Sequence, residues 1–176
     1  MITTSWLPPL IRFTTFGKDM PLYIEAIYAQ FKNDFINTKP VFRGTHLGLK
    51  RYPLQNGKEA TFWHMITEGE QEKNRTIAIN RCERIGWPAP IINHSEEQVI
   101  RCWENRRKSE IRILLWLVQD NYLVVLTKRS GYILPWTAYP LTQEHTKMKL
   151  EKEYQDYKKA RGAPQCGGPR YSFYSR

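Results

Sequence analysis

Hydrophobic side chains fall at helical spacing early in the chain, after a segment that prolines and glycine interrupt. Residues 1–18 contain those breakers and are expected to be irregular. Asp19 suits the N-cap position and Pro21 suits the first turn of a helix. The hydrophobic positions that follow share one face: Ile24, Ile27, Tyr28, Phe31 and Phe35. This pattern predicts an amphipathic helix that packs on the core.

The middle of the chain contains Asn56-Gly57, the strongest short signal for a two-residue hairpin turn. Its flanks predict strands near residues 46–53 and 60–65. Beyond a polar loop, hydrophobic positions at helical spacing from about residue 75 predict a helix that ends at Gly86.

Two shorter patterns follow that helix. Residues 87–92 contain two prolines, which predict an extended segment. Ser95 and Gln98 then form a capping-box pattern, which predicts a short helix that ends near residue 104.

The clearest β pattern spans residues 110–141. Three hydrophobic runs are separated by turn-forming residues at 119–121 and 129–131, which predicts an antiparallel meander. Residues 142–161 are rich in Lys, Glu and Gln and precede Gly162, so they predict a largely solvated helix.

Together these patterns predict an α+β fold with N-terminal helices and a hairpin, an antiparallel β-meander of about four strands and a C-terminal helix. A single domain is expected over residues 19–162. It would lie between the irregular segment of residues 1–18 and a flexible tail of residues 163–176.

The charge balance adds a class of partner to this picture. The chain has 27 Lys and Arg against 17 Asp and Glu, a net charge of +10. Such an excess favours a polyanion through counterion release and steering. Nucleic acid is the first candidate, and an acidic protein, such as an antitoxin or immunity protein, is the second.

Several classes are disfavoured by what the sequence lacks. Cys82, Cys102 and Cys166 are widely spaced and form no CxxC pair, which predicts free thiols rather than disulfides or a zinc site. The sequence contains no hydrophobic run of membrane-spanning length and no signal-peptide pattern, so a cytoplasmic protein without a membrane partner is expected. No phosphate-binding glycine loop or metal motif is present, so no cofactor and no metal are expected.

His64 is the first candidate for chemistry. It is expected at the end of the strand predicted over residues 60–65, beside a polar loop, where functional histidines are common. Imidazole also exchanges protons near neutral pH. The alternative is a structural histidine that only hydrogen-bonds the loop.

A basic cluster follows His64 and contains Lys73, Arg75, Arg81 and Arg84. Arg81 and Arg84 are three residues apart and are expected on one helix face. Guanidinium groups match phosphate oxygens bidentately, so the pair would suit a phosphate. The alternative is an ordinary solvated helix face.

The last predicted strand offers hydroxyl groups. Regular alternation would place Ile133, Thr137 and Tyr139 on one face, and Tyr132, Leu134 and Trp136 on the other. Pro135 cannot donate to a ladder, which predicts an edge strand or a bulge here. Thr137 and Tyr139 could bind a phosphate, with Lys128 from the preceding strand, or the strand could simply be half exposed.

These groups together suit RNA cleavage without a metal. The 2′-hydroxyl is an internal nucleophile, a base removes its proton, and cations stabilise the charge on phosphorus.

Three segments resemble proteins of phage and prophage origin in the barnase–EndoU–colicin–RelE-like nuclease superfamily. They are TFWHMITEG, NRCERIGWPAPII and YLVVLTKRSGYILPWTAYPL, and the resemblance spans roughly residues 61–159. It implies N-terminal helices before a four-stranded antiparallel sheet, and metal-independent cleavage of tRNA or mRNA, often by a toxin.

Residue by residue, the resemblance assigns the family's histidine to His64 and its basic positions to Arg81 and Arg84. The cation of the penultimate strand becomes Lys128 or Arg129. The hydroxyl of the final strand becomes Thr137, with Tyr139 beside it.

Two function hypotheses follow, and a third, a toxin–antitoxin subunit that acts mainly by pairing with an acidic partner, is compatible with the first of them. The first is an endoribonuclease toxin in which His64 is the acid or base, Arg84 with Arg81 and Lys128 stabilises the phosphate, and Thr137 and Tyr139 position it. Lys73, Arg75, Arg81 and Arg129 would bind the rest of the nucleic acid. The second is a non-catalytic nucleic-acid-binding protein of a mobile element that uses the same cations.

Overall fold

The computed structural model describes residues 4–69, 71 and 74–162. Lys73, Cys166 and the tail of residues 163–176 lie outside the described residues. Helices occupy the N-terminal part, a four-stranded antiparallel sheet follows, and a helix ends the described chain, which confirms the predicted α+β class. The helices are α1 (Met20–Lys32), α2 (Ala60–Ile66), α3 (Ile79–Cys82), α4 (Pro88–Asn93) and α5 (Glu144–Ala160).

The first helix forms as predicted. The Asp19 carboxylate accepts a hydrogen bond from the Leu22 amide at 2.9 Å and so caps α1. A π-helical turn, Asn33–Asn37, continues the helix and buries Phe35. Before α1, the segment from residue 4 is irregular except for a 3₁₀ turn, Phe13–Phe16, and its side chains pack on the core.

The Asn56-Gly57 turn is present, but its flanking strands were wrongly predicted. Both residues have positive φ, and Gln55 and Lys58 exchange two backbone hydrogen bonds of 3.0 Å. The ladder stops at that single pair. The following residues form helix α2, because the buried positions of this segment recur at helical rather than alternating spacing.

The region that follows contains further differences. Thr67–Glu68 (β3) pairs with Thr76–Ile77 (β4), and the predicted helix from residue 75 is reduced to α3 and the turns after it. The proline-containing segment is helical (α4) rather than extended, since Pro88 occupies the first turn, where proline is tolerated. The capping-box pattern at Ser95 precedes a strand instead of a helix.

The sheet is a meander of four strands in chain order. They are β5 (Ile100–Arg107), β6 (Glu110–Leu117), β7 (Tyr122–Arg129) and β8 (Tyr132–Pro140). A separate two-stranded ribbon joins β1 (Val41–Phe42) to β2 (Thr45–His46). β8 is an edge strand, as Pro135 predicted.

A β-bulge in β8 changes which side chains share a face. Val125 pairs with Thr137 and Leu126 with Pro135, so Trp136 is the extra residue. The alternation therefore shifts by one position. Thr137 and Tyr139 lie on the face opposite Ile133, which corrects the predicted grouping.

The two faces of the sheet bury different clusters. The larger core lies between one face and helices α1 to α4, with Phe31, Phe62 and Leu126 among its fully buried members. The smaller cluster lies under α5, where Leu150 packs with Trp103 and Trp116. The C-terminal helix is otherwise largely solvated, as predicted.

No helix in the described part of the chain combines the length and the apolar character needed to cross a membrane.

Candidate functional site

A polar cleft of about 470 Å³ opens beside the outer edge of β8, where α2 and α3 pack against that strand. Its lining contains three cations, an imidazole and two hydroxyl groups, and none of the described residues that line it is acidic. The lining residues are Lys50, His64, Gly69, Arg75, Arg81, Trp136, Thr137 and Tyr139.

The N-terminus of α2 positions Lys50 at the cleft. The Thr61 amide donates to the Lys50 carbonyl at 3.1 Å, and the Thr61 hydroxyl donates to the same oxygen at 3.0 Å. The Ala60 amide donates to the Arg51 carbonyl at 3.0 Å. These bonds satisfy amides that a helix start leaves without partners, and they hold residues 50 and 51 against α2.

The C-terminus of α2 positions the two arginines. Arg75 donates to the Thr67 carbonyl at 2.6 Å and to the Thr67 hydroxyl at 2.9 Å, and it reaches the Gly69 carbonyl at 3.1 Å. Arg81 donates to the Thr67 carbonyl at 2.8 Å. Two guanidinium groups therefore converge on one carbonyl at the negative end of the helix dipole, where cations are favourable.

Arg81 is largely buried, with 13% of its side chain exposed. Burial lowers the pKa of Arg81, and the Glu68 carboxylate, 3.8 Å away, acts in the opposite direction. A guanidinium group stays charged in proteins, so Arg81 presents a poorly hydrated positive charge to the cleft. Its guanidinium carbon also lies 4.9 Å from the centre of the Tyr139 ring.

His64 lies within α2, not at the end of a strand as predicted, yet it faces the final strand. Its ring centre is 5.3 Å from that of Trp136, the bulged residue of β8. The Thr137 hydroxyl donates to the His64 carbonyl at 3.4 Å. The helix and the strand therefore bring His64 and Thr137 into direct contact, although 73 residues separate them along the chain.

Thr137 and Tyr139 contribute the hydroxyl groups of the cleft. Arg81 approaches the Thr137 hydroxyl at 3.4 Å. Burial raises the pKa of Tyr139, and the positive charges of Arg81, Arg107 and Arg112 oppose that shift. Tyr139 is therefore protonated near neutral pH and can donate a hydrogen bond to an anion.

The structure does not bring Arg84, Lys128 or Arg129 into this cleft. Arg84 turns away from it, donates to the Asn80 carbonyl at 2.9 Å and lies over the Trp87 ring. Of the expected Arg81 and Arg84 pair, Arg81 lines the cleft and Arg84 does not.

The two cations of β7 are bound to carboxylates of β5 and β6. Lys128 contacts Glu104 at 2.8 Å, and Arg129 contacts Glu110 at 2.7 Å. The penultimate strand therefore does not supply a cation to the cleft. Lys73, the remaining predicted contact, lies outside the described residues.

Besides Gly69, which has no side chain, sequence reasoning missed two residues that line the cleft, Lys50 and Trp136. Lys50 comes from an irregular segment, which long-range backbone hydrogen bonds attach to α2 and, through Gly48 and Ile133, to β8. Trp136 was assigned to a strand face, but the bulge directs it to His64. The proline before Trp136 was the one available signal.

No group of His, Cys, Asp and Glu in the described residues is arranged to hold a metal ion. Cys82 and Cys102, the cysteines of the described residues, are buried and are not joined by a disulfide. The cleft is therefore built from groups that bind an anion and exchange a proton.

The combined geometry suits a phosphate ester. Lys50, Arg75 and Arg81 supply positive charge, the two hydroxyls supply hydrogen bonds, and His64 can exchange a proton. Comparison with known proteins gives no match: no family model, no curated protein and no solved structure matches this chain. The resemblance of its three segments to the nuclease superfamily therefore stays a prediction.

Proposed function

We propose that this protein is a metal-independent endoribonuclease whose active site is the cleft beside β8. The observation that supports the proposal is the position of the His64 imidazole in a cleft that three cations line, with no acidic residue among its described lining residues. An imidazole among phosphate-binding groups can exchange a proton with a reacting oxygen while cations hold the phosphate, which is what general acid–base cleavage of RNA uses.

The roles differ from those expected from the sequence. His64 is the base towards the 2′-hydroxyl or the acid towards the leaving 5′-oxygen, and water makes the other of these two proton transfers. Lys50, Arg75 and Arg81 stabilise the negative charge that develops on the phosphate. The 2′-oxygen forms a bond to phosphorus while the bond to the 5′-oxygen breaks, which leaves a 2′,3′-cyclic phosphate and a 5′-hydroxyl.

The proposal also includes the substrate, the compartment and a partner protein. RNA, either tRNA or mRNA, is the substrate, and the cytoplasm is the compartment. The net charge of +10 also suits an acidic antitoxin or immunity protein that would block the cleft.

The test is RNA cleavage in the presence of EDTA, followed across pH, with wild type and His64→Ala. Wild type is expected to release cyclic phosphate, and the variant is expected to lose a factor of about 10² to 10⁴ in rate, the usual contribution of one acid or base. His46→Ala is the matched control, because His46 is exposed on β2, outside the lining of the cleft. Absence of cleavage at every pH, or equal rates for His64→Ala and wild type, would contradict the mechanism.

A non-catalytic nucleic-acid-binding protein is the second candidate. It is favoured by the use of both arginines in structural bonds to the end of α2, which leaves fewer donors for a transition state. This candidate predicts RNA that is bound but stays intact, with an affinity that depends on Lys50 and not on His64.

A further inference from the structure

A second cleft, of about 280 Å³, adjoins the first on the α5 face of the sheet. Thr137 and Tyr139 line both clefts, so the two meet at the β8 edge. The polar lining of the second cleft comes from three further residues, Asn105, Arg107 and Arg112. None of its described lining residues is acidic, as in the first cleft.

Arg112 reaches this cleft from β6 beside the bulge. Its guanidinium carbon lies 4.8 Å from the centre of the Trp136 ring, so Trp136 contacts both Arg112 and His64. One terminal nitrogen of Arg112 contacts Glu110 at 3.1 Å. Its Nε is buried and has no hydrogen-bond partner among the described residues, which is uncommon for a charged donor.

Arg107 occupies the rim of the same cleft. Its side chain is 51% exposed, and its contact with Glu153 is long, at 3.7 Å. A long ion pair at an exposed arginine is weak, so Arg107 can contact an incoming anion at little cost. Together with Lys50, Arg75 and Arg81, the two arginines give five cations around Thr137 and Tyr139.

We propose that a single nucleic-acid strand bound in the first cleft crosses Thr137 and Tyr139 and places an adjoining phosphate in the second cleft, against Arg107 and Arg112. This inference rests on the proposed function, since it extends the same RNA site. The Asn105 side-chain oxygen is also buried without a partner among the described residues. As an acceptor it faces a sugar hydroxyl of the same nucleotide rather than its phosphate.

The test compares Arg107→Gln with Arg106→Gln. These neighbours lose the same charge, both are exposed, and alternation along β5 places them on opposite faces of the sheet. Both changes are made in the His64→Ala background so that the RNA stays intact. Binding of a short single-stranded oligoribonucleotide and of a nucleoside monophosphate is measured over a range of salt concentrations.

Arg107→Gln is expected to weaken oligonucleotide binding several-fold and to reduce its salt slope by about 0.7, the value for one phosphate contact on a single strand. Binding of the monophosphate, which occupies the first cleft alone, should not change. Arg106→Gln should change the binding of neither ligand.

Equal effects of the two variants on the oligonucleotide would overturn the inference, and so would an effect of Arg107→Gln on the monophosphate. The first cleft is tested separately, because Lys50→Gln should weaken the binding of both ligands. If Lys50→Gln binds both ligands as tightly as the protein with Lys50, the proposed function is contradicted. If Lys50→Gln weakens binding but Arg107→Gln and Arg106→Gln behave alike, only the role of the second cleft is contradicted.

Discussion

At the scale of single residues, the Thr67 carbonyl holds two positively charged side chains of the cleft in place. Arg75 and Arg81 both donate to this oxygen, at 2.6 and 2.8 Å. The bonds hold two like-charged groups close together, and Arg75 contributes to lowering the pKa of Arg81 after burial, the largest cause. A bound anion would relieve this repulsion, so the cleft favours occupancy by a negative group.

Cys82 shows how burial at a single residue leads to a dependence of stability on pH. Its side chain is fully buried, and burial raises its pKa from the ordinary value of 9.0 to about 12. The folded state therefore keeps the neutral thiol while the unfolded state ionises. Stability from this group is fully present below pH 9 and is lost as pH rises from 9 towards 12.

We therefore expect the free energy of unfolding to fall between pH 9 and pH 11, with a contribution from Cys82 of up to about 1.4 kcal/mol per pH unit. Urea titrations at a series of pH values measure this slope. Cys82→Ala should reduce the slope, since it removes the titrating thiol. A slope that is the same in wild type and in the variant would show that Cys82 is not responsible.

At the scale of elements, α1 illustrates a helix whose start depends on one side chain. The Asp19 carboxylate accepts from the Leu22 amide, while Asp19 itself is exposed and lies outside the core. Asp19→Ala should therefore destabilise the protein by about 1 kcal/mol, the usual cost of losing an N-cap.

Chemical denaturation of Asp19→Ala and Asp19→Asn separates the cap from the charge. Asparagine keeps the capping oxygen, so Asp19→Asn should remain within a few tenths of a kcal/mol of wild type. Equal destabilisation by both changes would mean that the charge, and not the hydrogen bond, stabilises α1.

Elements with strong local patterns were predictable from the sequence, and those that depend on distant contacts were not. α1 has a cap and an apolar stripe, and β6 to β8 are hydrophobic runs separated by turn residues, so local rules sufficed. α2 has only seven residues, and carbonyls of residues 50 and 51 and two arginines stabilise its ends. No local pattern reports such bonds, so an aromatic-rich segment after Asn56-Gly57 was taken for a strand.

Dependence on distant contacts also limited how much of the site could be predicted. Five of the predicted residues line the cleft together: His64, Arg75, Arg81, Thr137 and Tyr139. They could be predicted because their residue types suit a phosphate. Lys128 and Arg129 suited it equally well. Only the register of β5 to β7 shows that carboxylates of β5 and β6 bind them.

At the scale of the whole molecule, the excess of ten positive charges governs how the protein meets a polyanion. Long-range attraction accelerates encounter and salt weakens it, whichever residues make the final contacts. The net charge alone therefore does not identify a site. A site is identified by comparing how the loss of individual lysines affects RNA binding.

Lys50→Gln and Lys152→Gln provide that comparison, because each removes one positive charge and only Lys50 lines the cleft. Lys152 is exposed on α5. We expect Lys50→Gln to weaken RNA binding several-fold and to reduce the salt slope by about 0.7, whereas Lys152→Gln should leave the slope unchanged. The measurement is the affinity for RNA over a range of salt concentrations. Equal salt slopes for the two variants would show general electrostatic attraction rather than a specific site.

The bulge at Trp136 has a consequence for how this strand can be compared with strands of other proteins. On its N-terminal side, odd-numbered residues such as Ile133 face the larger core, and on its C-terminal side even-numbered residues such as Ala138 do. A gap-free alignment of β8 with a regular strand can therefore be in phase on only one side of Trp136. An alignment that opens a one-residue gap there would keep buried positions matched to buried positions along the whole strand.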